Sequence, residues 1–96
     1  MAGAQKRRSR NIVGPQVRRL RTAAGLNQEQ LAARCALKGF DVGRGSISHI
    51  ETGLRGVSDL EMVILAKVLR VGLDELVPAK LPKWVKDTRP PTAKGE

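Results

Sequence analysis

The sequence predicts an all-α domain: five short helices in a compact bundle, flanked by two basic tails. Three observations point there. Aromatic content is 2 %, only Phe40 and Trp84, so the core must be aliphatic. A small helical bundle suits such a core better than a sandwich or barrel. Apolar residues recur at intervals of three and four through the middle of the chain, with no convincing strand pattern. Helix-start signals stand ahead of several of these runs, and glycine or proline stands behind.

The first helix starts between Ile12 and Pro15 and runs to Ala24. Val13, Val17, Leu20 and Ala24 form its buried stripe; Pro15 is tolerated in a first turn, and Gly25 is a good stop. Asn27 caps the second helix, and Gln30 completes a capping box. Leu31 and Cys35 face inward, with Ala32 beside them. The helix fades near Leu37, and "KGFDVG" is a turn. Residues 43–53, "GRGSISHIETG", hold three glycines and two serines, a composition that favours a loop. Yet Ile47, Ile50 and Leu54 fall within a sector of about 60° on a helical wheel. The segment therefore reads as a third helix held by packing. Ser58 and Glu61 form a second capping box. Eight of residues 60–69 are apolar, which marks the central helix of a bundle. Gly72 opens a last short helix with Leu73, Leu76 and Val77 inward. Asp74 and Glu75 stand at its favourable N-terminal end, and Pro78 ends it. Residues 1–11 read as a flexible basic arm, 12–77 as the domain, and 78–96 as a flexible Pro/Lys-rich tail.

The net charge of +9 is unevenly spread. Residues 1–21 carry seven bases and no acid, 22–77 six bases and seven acids, and 78–96 five bases and two acids. A balanced body with basic ends suits a polyanion, most often nucleic acid. No run reaches the roughly 18 apolar residues of a membrane span. No apolar signal core follows the basic start, and a single cysteine excludes an internal disulfide, so a cytoplasmic setting is expected. Cys35 reads as a packed small hydrophobe. His49 has no second His or Cys at ligand spacing, so neither a metal nor a cofactor is expected. No paired carboxylates or nucleophile–base set suggests an enzyme.

The third helix carries the functional signal. Opposite its isoleucines lie Gly45, Ser48, His49 and Thr52, with Arg44 and Ser46 on the flanks near its start. An ordinary solvated face carries Glu and Lys. This one is small and polar, and could lie against base edges in a major groove. "GRGSISHIETG" is neither a dinucleotide fingerprint, which needs glycine where Ser48 stands, nor a phosphate loop, which needs a Gly-Lys-Ser/Thr end.

Three phrases in order, "VRRLRTAAGLNQEQLAARC", "SISHIETG" and "LEMVILAKVLRVGLDEL", resemble the lambda-repressor/Cro-like (Xre-type) helix-turn-helix family over about residues 12–77. The resemblance implies a positioning helix at 28–36 and a recognition helix at about 44–52. It implies base approach by Arg44, Gly45, Ser46, Ser48 and His49, and phosphate contact by Gln28. Thr52 and Arg55 fall where the following loop touches the DNA backbone. Arg21 and Glu51 fall on a pair that joins helices 1 and 3 in some members. Three features depart from the family pattern. The turn holding "LKGFD" is longer than in the short phage repressors. Gly45 removes a side chain from a reading position. Arg70 stands where a C-cap glycine is common.

The implied function is a sequence-specific double-stranded DNA-binding regulator of the phage or bacterial repressor type. It would act as a homodimer on half-sites about 34 Å apart, with Lys6, Arg7 and Arg8 of the arm adding phosphate or minor-groove contacts. The alternative is a protein-interaction module on the same fold, an antitoxin or bridging coactivator. Its partner would use the C-terminal tail around Leu81, Trp84 and Val85.

Overall fold

The computed structural model describes residues 9–81. They form α1 (Gly14–Ala23), α2 (Gln28–Leu37), α3 (Arg44–Thr52), α4 (Asp59–Leu69) and α5 (Leu73–Leu76), with no strand among the described residues. Both capping boxes form: Asn27 and Ser58 each accept from the backbone N–H three residues on, and Gln30 and Glu61 reach back.

The four longer helices end alike. After each, one residue turns left-handed and two backbone N–H groups bond back into the last turn. The pattern closes otherwise orphaned carbonyls. Gly25, Gly39 and Gly53 take this place after α1, α2 and α3. After α4 it is Arg70, at φ 60°, with Val71 N–H on the Ala66 carbonyl and Arg70 N–H on Lys67. A side chain in that conformation costs about 1–2 kcal/mol. Arg70 is the only non-glycine residue at positive φ among the described residues.

The core is aliphatic, as the composition requires. α3 packs on α1 and α2; α4 packs on α1, α2 and α5. Ile47 and Ile50 are fully buried beside Val17, Leu31, Cys35 and Leu65. Burial pushes the Cys35 thiol up to about 11, so it stays protonated and inert at neutral pH. Phe40 and Val42 from the α2–α3 turn are also buried. The lengthened turn is thus part of the core that supports α3.

Several expectations are corrected. Ala24 is exposed, because α1 ends at Ala23; Leu26 fills that end of the core instead. Leu54 is 47 % exposed, because Gly53 turns the chain before Leu54 can join the isoleucine stripe. Leu73 is exposed, leaving Leu76 as the buried residue of α5. α4 is not enclosed on most sides: Leu65, Ala66, Val68 and Leu69 are buried, but Leu60 is 65 % exposed.

Residues 9–11, expected in the flexible arm, are docked on α3 and its following loop. Arg10 N–H donates to the Gly53 carbonyl at 2.8 Å. Asn11 Nδ2 donates to the carbonyls of Ile50 (3.0 Å) and Arg55 (2.7 Å). Asn11 Oδ1 accepts from Val13 and Gly14 N–H at the start of α1. One amide therefore joins the start of α1 to the end of α3. Gly14 permits the approach, since an added Cβ would collide with the Ile50 carbonyl oxygen and lie 2.8 Å from that of Glu51.

Candidate nucleic-acid interface

α3 has no side-chain cap, and Gly45 and two serines weaken its intrinsic propensity. Its stability comes from tertiary contacts. Ile47 and Ile50 anchor one face. Glu51, the sole acid of α3, turns inward and is buried. Arg21 Nε donates to Glu51 Oε2 at 2.6 Å, and Arg21 Nη2 to Oε1 at 3.2 Å. Arg21 Nη1 also donates to the Leu26 carbonyl at 2.7 Å, and Gln28 Nε2 to Glu51 Oε1 at 3.0 Å. α1 and the start of α2 meet α3 at one carboxylate, and the α1–α2 turn joins through Arg21. Every member is satisfied, and no buried side-chain polar atom among the described residues lacks a partner. A charge-assisted, fully paired network of this kind fixes geometry.

The outward positions follow. Arg44, Gly45, His49 and Thr52 are exposed, while Ser46 and Ser48 are half-buried. A Cβ on Gly45 would meet nothing within 4 Å, so the fold does not demand glycine there. Thr52 Oγ1 donates to the Ser48 carbonyl at 3.0 Å. With Glu51 turned in, the exposed side of α3 carries no negative charge. Beside it, a cleft of about 320 Å³ is lined by Arg21, Asn27, Gln28, Glu29 and Arg44. It joins the capped start of α2 to the first residue of α3. Arg44 and the positive end of the α2 dipole can hold a phosphate there, with Arg21 already paired to Glu51 and Glu29 the one acid on the lining.

Two site residues hold other partners. Gln28 spends its amide on Glu51, so it positions α2 against α3 through its side chain. Arg55 is engaged within the chain: Nη1 and Nη2 donate to Glu61 at 3.0 and 3.2 Å, and its guanidinium lies 5.7 Å from the Phe40 ring centroid. The Arg55 hydrogen bond holds the Glu61 carboxyl below its usual range, partly opposed by desolvation. Lys6, Arg7 and Arg8 lie outside the described residues, as do Trp84 and Val85. Sequence reasoning missed the Asn11 clamp and the Arg55–Glu61 pair. Asn11 sits outside any periodic pattern; an asparagine just ahead of a helix was the one signal for its bonds to Val13 and Gly14, and nothing marked its reach to α3. Glu61 was visible only as a capping-box residue.

The model of the family described as helix-turn-helix matches residues 17–76, more than half the chain. The chain belongs to the lambda-repressor/Cro-like helix-turn-helix family. A solved structure agrees: the restriction-modification controller protein C.AhdI from Aeromonas hydrophila is 36 % identical. The match covers 67 % of this chain and 86 % of that one, at a TM-score of 0.59. No curated protein matches. Family and fold together make the chain a DNA-binding transcription regulator. No helix among the described residues is long and apolar enough to cross a membrane.

Proposed function

We propose that the protein is a sequence-specific double-stranded DNA-binding regulator of the phage and bacterial repressor type, which lays α3 in the major groove. The observation that carries this reading is Glu51: the only carboxylate on α3 is buried against Arg21, so the exposed side is polar and free of negative charge. Arg44, Ser46, Ser48 and His49 read base edges; Gly45 lets the helix backbone approach closely. The cleft at the start of α2 takes a phosphate and sets register, and Thr52 adds a backbone contact. Lys6, Arg7 and Arg8 add affinity without sequence preference. Arg55 reaches DNA only if it leaves Glu61, so its first role is to brace the loop after α3. Similarity to a restriction-modification controller supports regulation of restriction-modification genes as the biological setting.

A single domain of this size has a small footprint, which favours a homodimer on half-sites about 34 Å apart. α4 and α5 pack together and leave Leu60 and Leu73 exposed, apolar surface that a second copy would cover.

Selection from a random duplex library with the purified protein tests the reading. A single enriched motif with a steep negative salt slope is the expected result, and a palindromic motif supports the dimer. Enrichment of no motif contradicts it. Deleting residues 78–96 separates the alternative role: loss of a protein partner with operator binding intact would place an interaction function in the tail.

A further inference from the structure

A second cleft lies at the other end of α2. It has a volume of about 330 Å³ and is lined by Arg34, Leu37, Lys38, Lys67, Val68 and Arg70. These residues come from the last turns of α2 and α4 and the residues that end those helices. Four of the six are cations, and none is an acid. The two ion pairs among the described residues, Arg21–Glu51 and Arg55–Glu61, use none of the four. A helix dipole accounts for basic residues near a C-terminus. It does not account for Leu37, which is 86 % exposed on the same cleft.

Arg70 adds an independent observation. Three helices place glycine at the left-handed end position; here the chain keeps an arginine in a conformation that side chains avoid. A residue held at such a cost points to a use for its side chain.

We infer that this cleft docks an acidic protein segment carrying an apolar side chain, with the carboxylates on Arg34, Lys38, Lys67 and Arg70 and the apolar group on Leu37 and Val68. Three arguments select that occupant. The charged groups of the cleft are all positive, so it repels the same cleft of a second copy. The sequence at both ends of this chain is basic, so neither tail has the right sign. The apolar part of the lining, Leu37 with Val68, suits a protein side chain better than a phosphate backbone. The DNA-facing cleft lies at the opposite end of α2, roughly 15 Å along the axis for ten residues. The two surfaces can therefore be occupied together, which suits a regulator that touches another protein while on DNA.

The test titrates the full chain with a fluorescein-labelled, Glu-rich peptide bearing leucines at helical spacing, read by anisotropy. Duplex binding is measured alongside on the same variants. The wild type is expected to bind the peptide. Arg34→Gln with Lys67→Gln should weaken it about tenfold, with the salt slope of duplex binding unchanged. Leu37→Ser should weaken it a few-fold, as should replacing the peptide's leucines by serine. Arg70→Gly is the sharpest arm: it should raise the melting temperature and weaken the peptide together, whereas a purely structural Arg70 predicts only the first. The inference is overturned if the wild type ignores the peptide, if the variants bind it equally, or if the serine peptide binds as well. It is also overturned if duplex DNA displaces the peptide. Failure of duplex binding in the wild type would instead count against the DNA-binding reading, so the two outcomes are separable.

Discussion

α3 and α4 are neighbours in sequence and opposites in construction. At its start α4 obeys the local rules: a capping box, acids in its first turn, and a mostly apolar sequence to follow. α3 has no side-chain cap, two serines, and an exposed glycine near its start. Yet α3 is the helix with two fully buried isoleucines and the buried carboxylate, while α4 leaves Leu60 in solvent. The difference separates two sources of helical order. α4 is supported from within its own sequence and has apolar surface to spare. α3 is held from outside, by α1, α2 and the residue 9–11 segment, and its exposed side is thereby freed of any part in stability. A reading surface needs that freedom, because its side chains must answer to DNA.

The comparison breaks most sharply at the network under α3. Arg21→Ala leaves Glu51 buried with Gln28 as its remaining side-chain partner, and should cost about 3–5 kcal/mol in urea unfolding. The superficially similar Arg55–Glu61 pair is partly open, with side chains 34 % and 23 % exposed. Arg55→Ala should cost only about 1 kcal/mol or less. Equal costs for the two would mean that α3 is not specially dependent on outside support.

Gly14→Ala comes next. It pushes a methyl into the backbone at the end of α3 and should destabilise by about 1–3 kcal/mol. Gly45→Ala, in open space on α3 itself, should stabilise by about 0.5–1 kcal/mol while weakening DNA binding. Two glycines on adjoining helices thus respond with opposite signs, which calorimetry on both variants would resolve.

The smallest expected effect is in acid. Glu61 titrates below its ordinary value in the folded state, chiefly because of Arg55. Its contribution is complete above the unfolded carboxyl value, near 4.5, and is lost as pH falls through the lower folded value. Arg55→Ala should flatten that part of the stability–pH curve. A curve unchanged by the substitution would show that the pair contributes nothing there.

Much of this was legible in the sequence. Capping boxes and aliphatic stripes located the five helices of the described residues because those signals are local. Ile47 and Ile50 marked α3 as a helix despite its composition. Boundaries were less legible: Gly53 ends α3 one residue before Leu54, and a helical wheel does not know where a helix stops. Leu73 read as inward because it is apolar, and α4 as a central helix for the same reason; the fold leaves Leu73 and Leu60 exposed. The long-range half of the Asn11 clamp was invisible, since the Ile50 and Arg55 carbonyls are brought near by folding alone. The Arg21–Glu51 pair came from family resemblance, and the structure adds what that did not supply: Gln28 and the Leu26 carbonyl complete it.

The central claim is that the buried side of α3 carries its structural duty, so that its exposed side can read bases. The most direct measurement is operator selection repeated with Arg44→Ala and His49→Ala, with urea stability measured on the same samples. Unchanged stability and a relaxed sequence preference are expected, worth about 1–3 kcal/mol of discrimination at the positions those side chains read. Retention of the wild-type motif and affinity by both variants would contradict it.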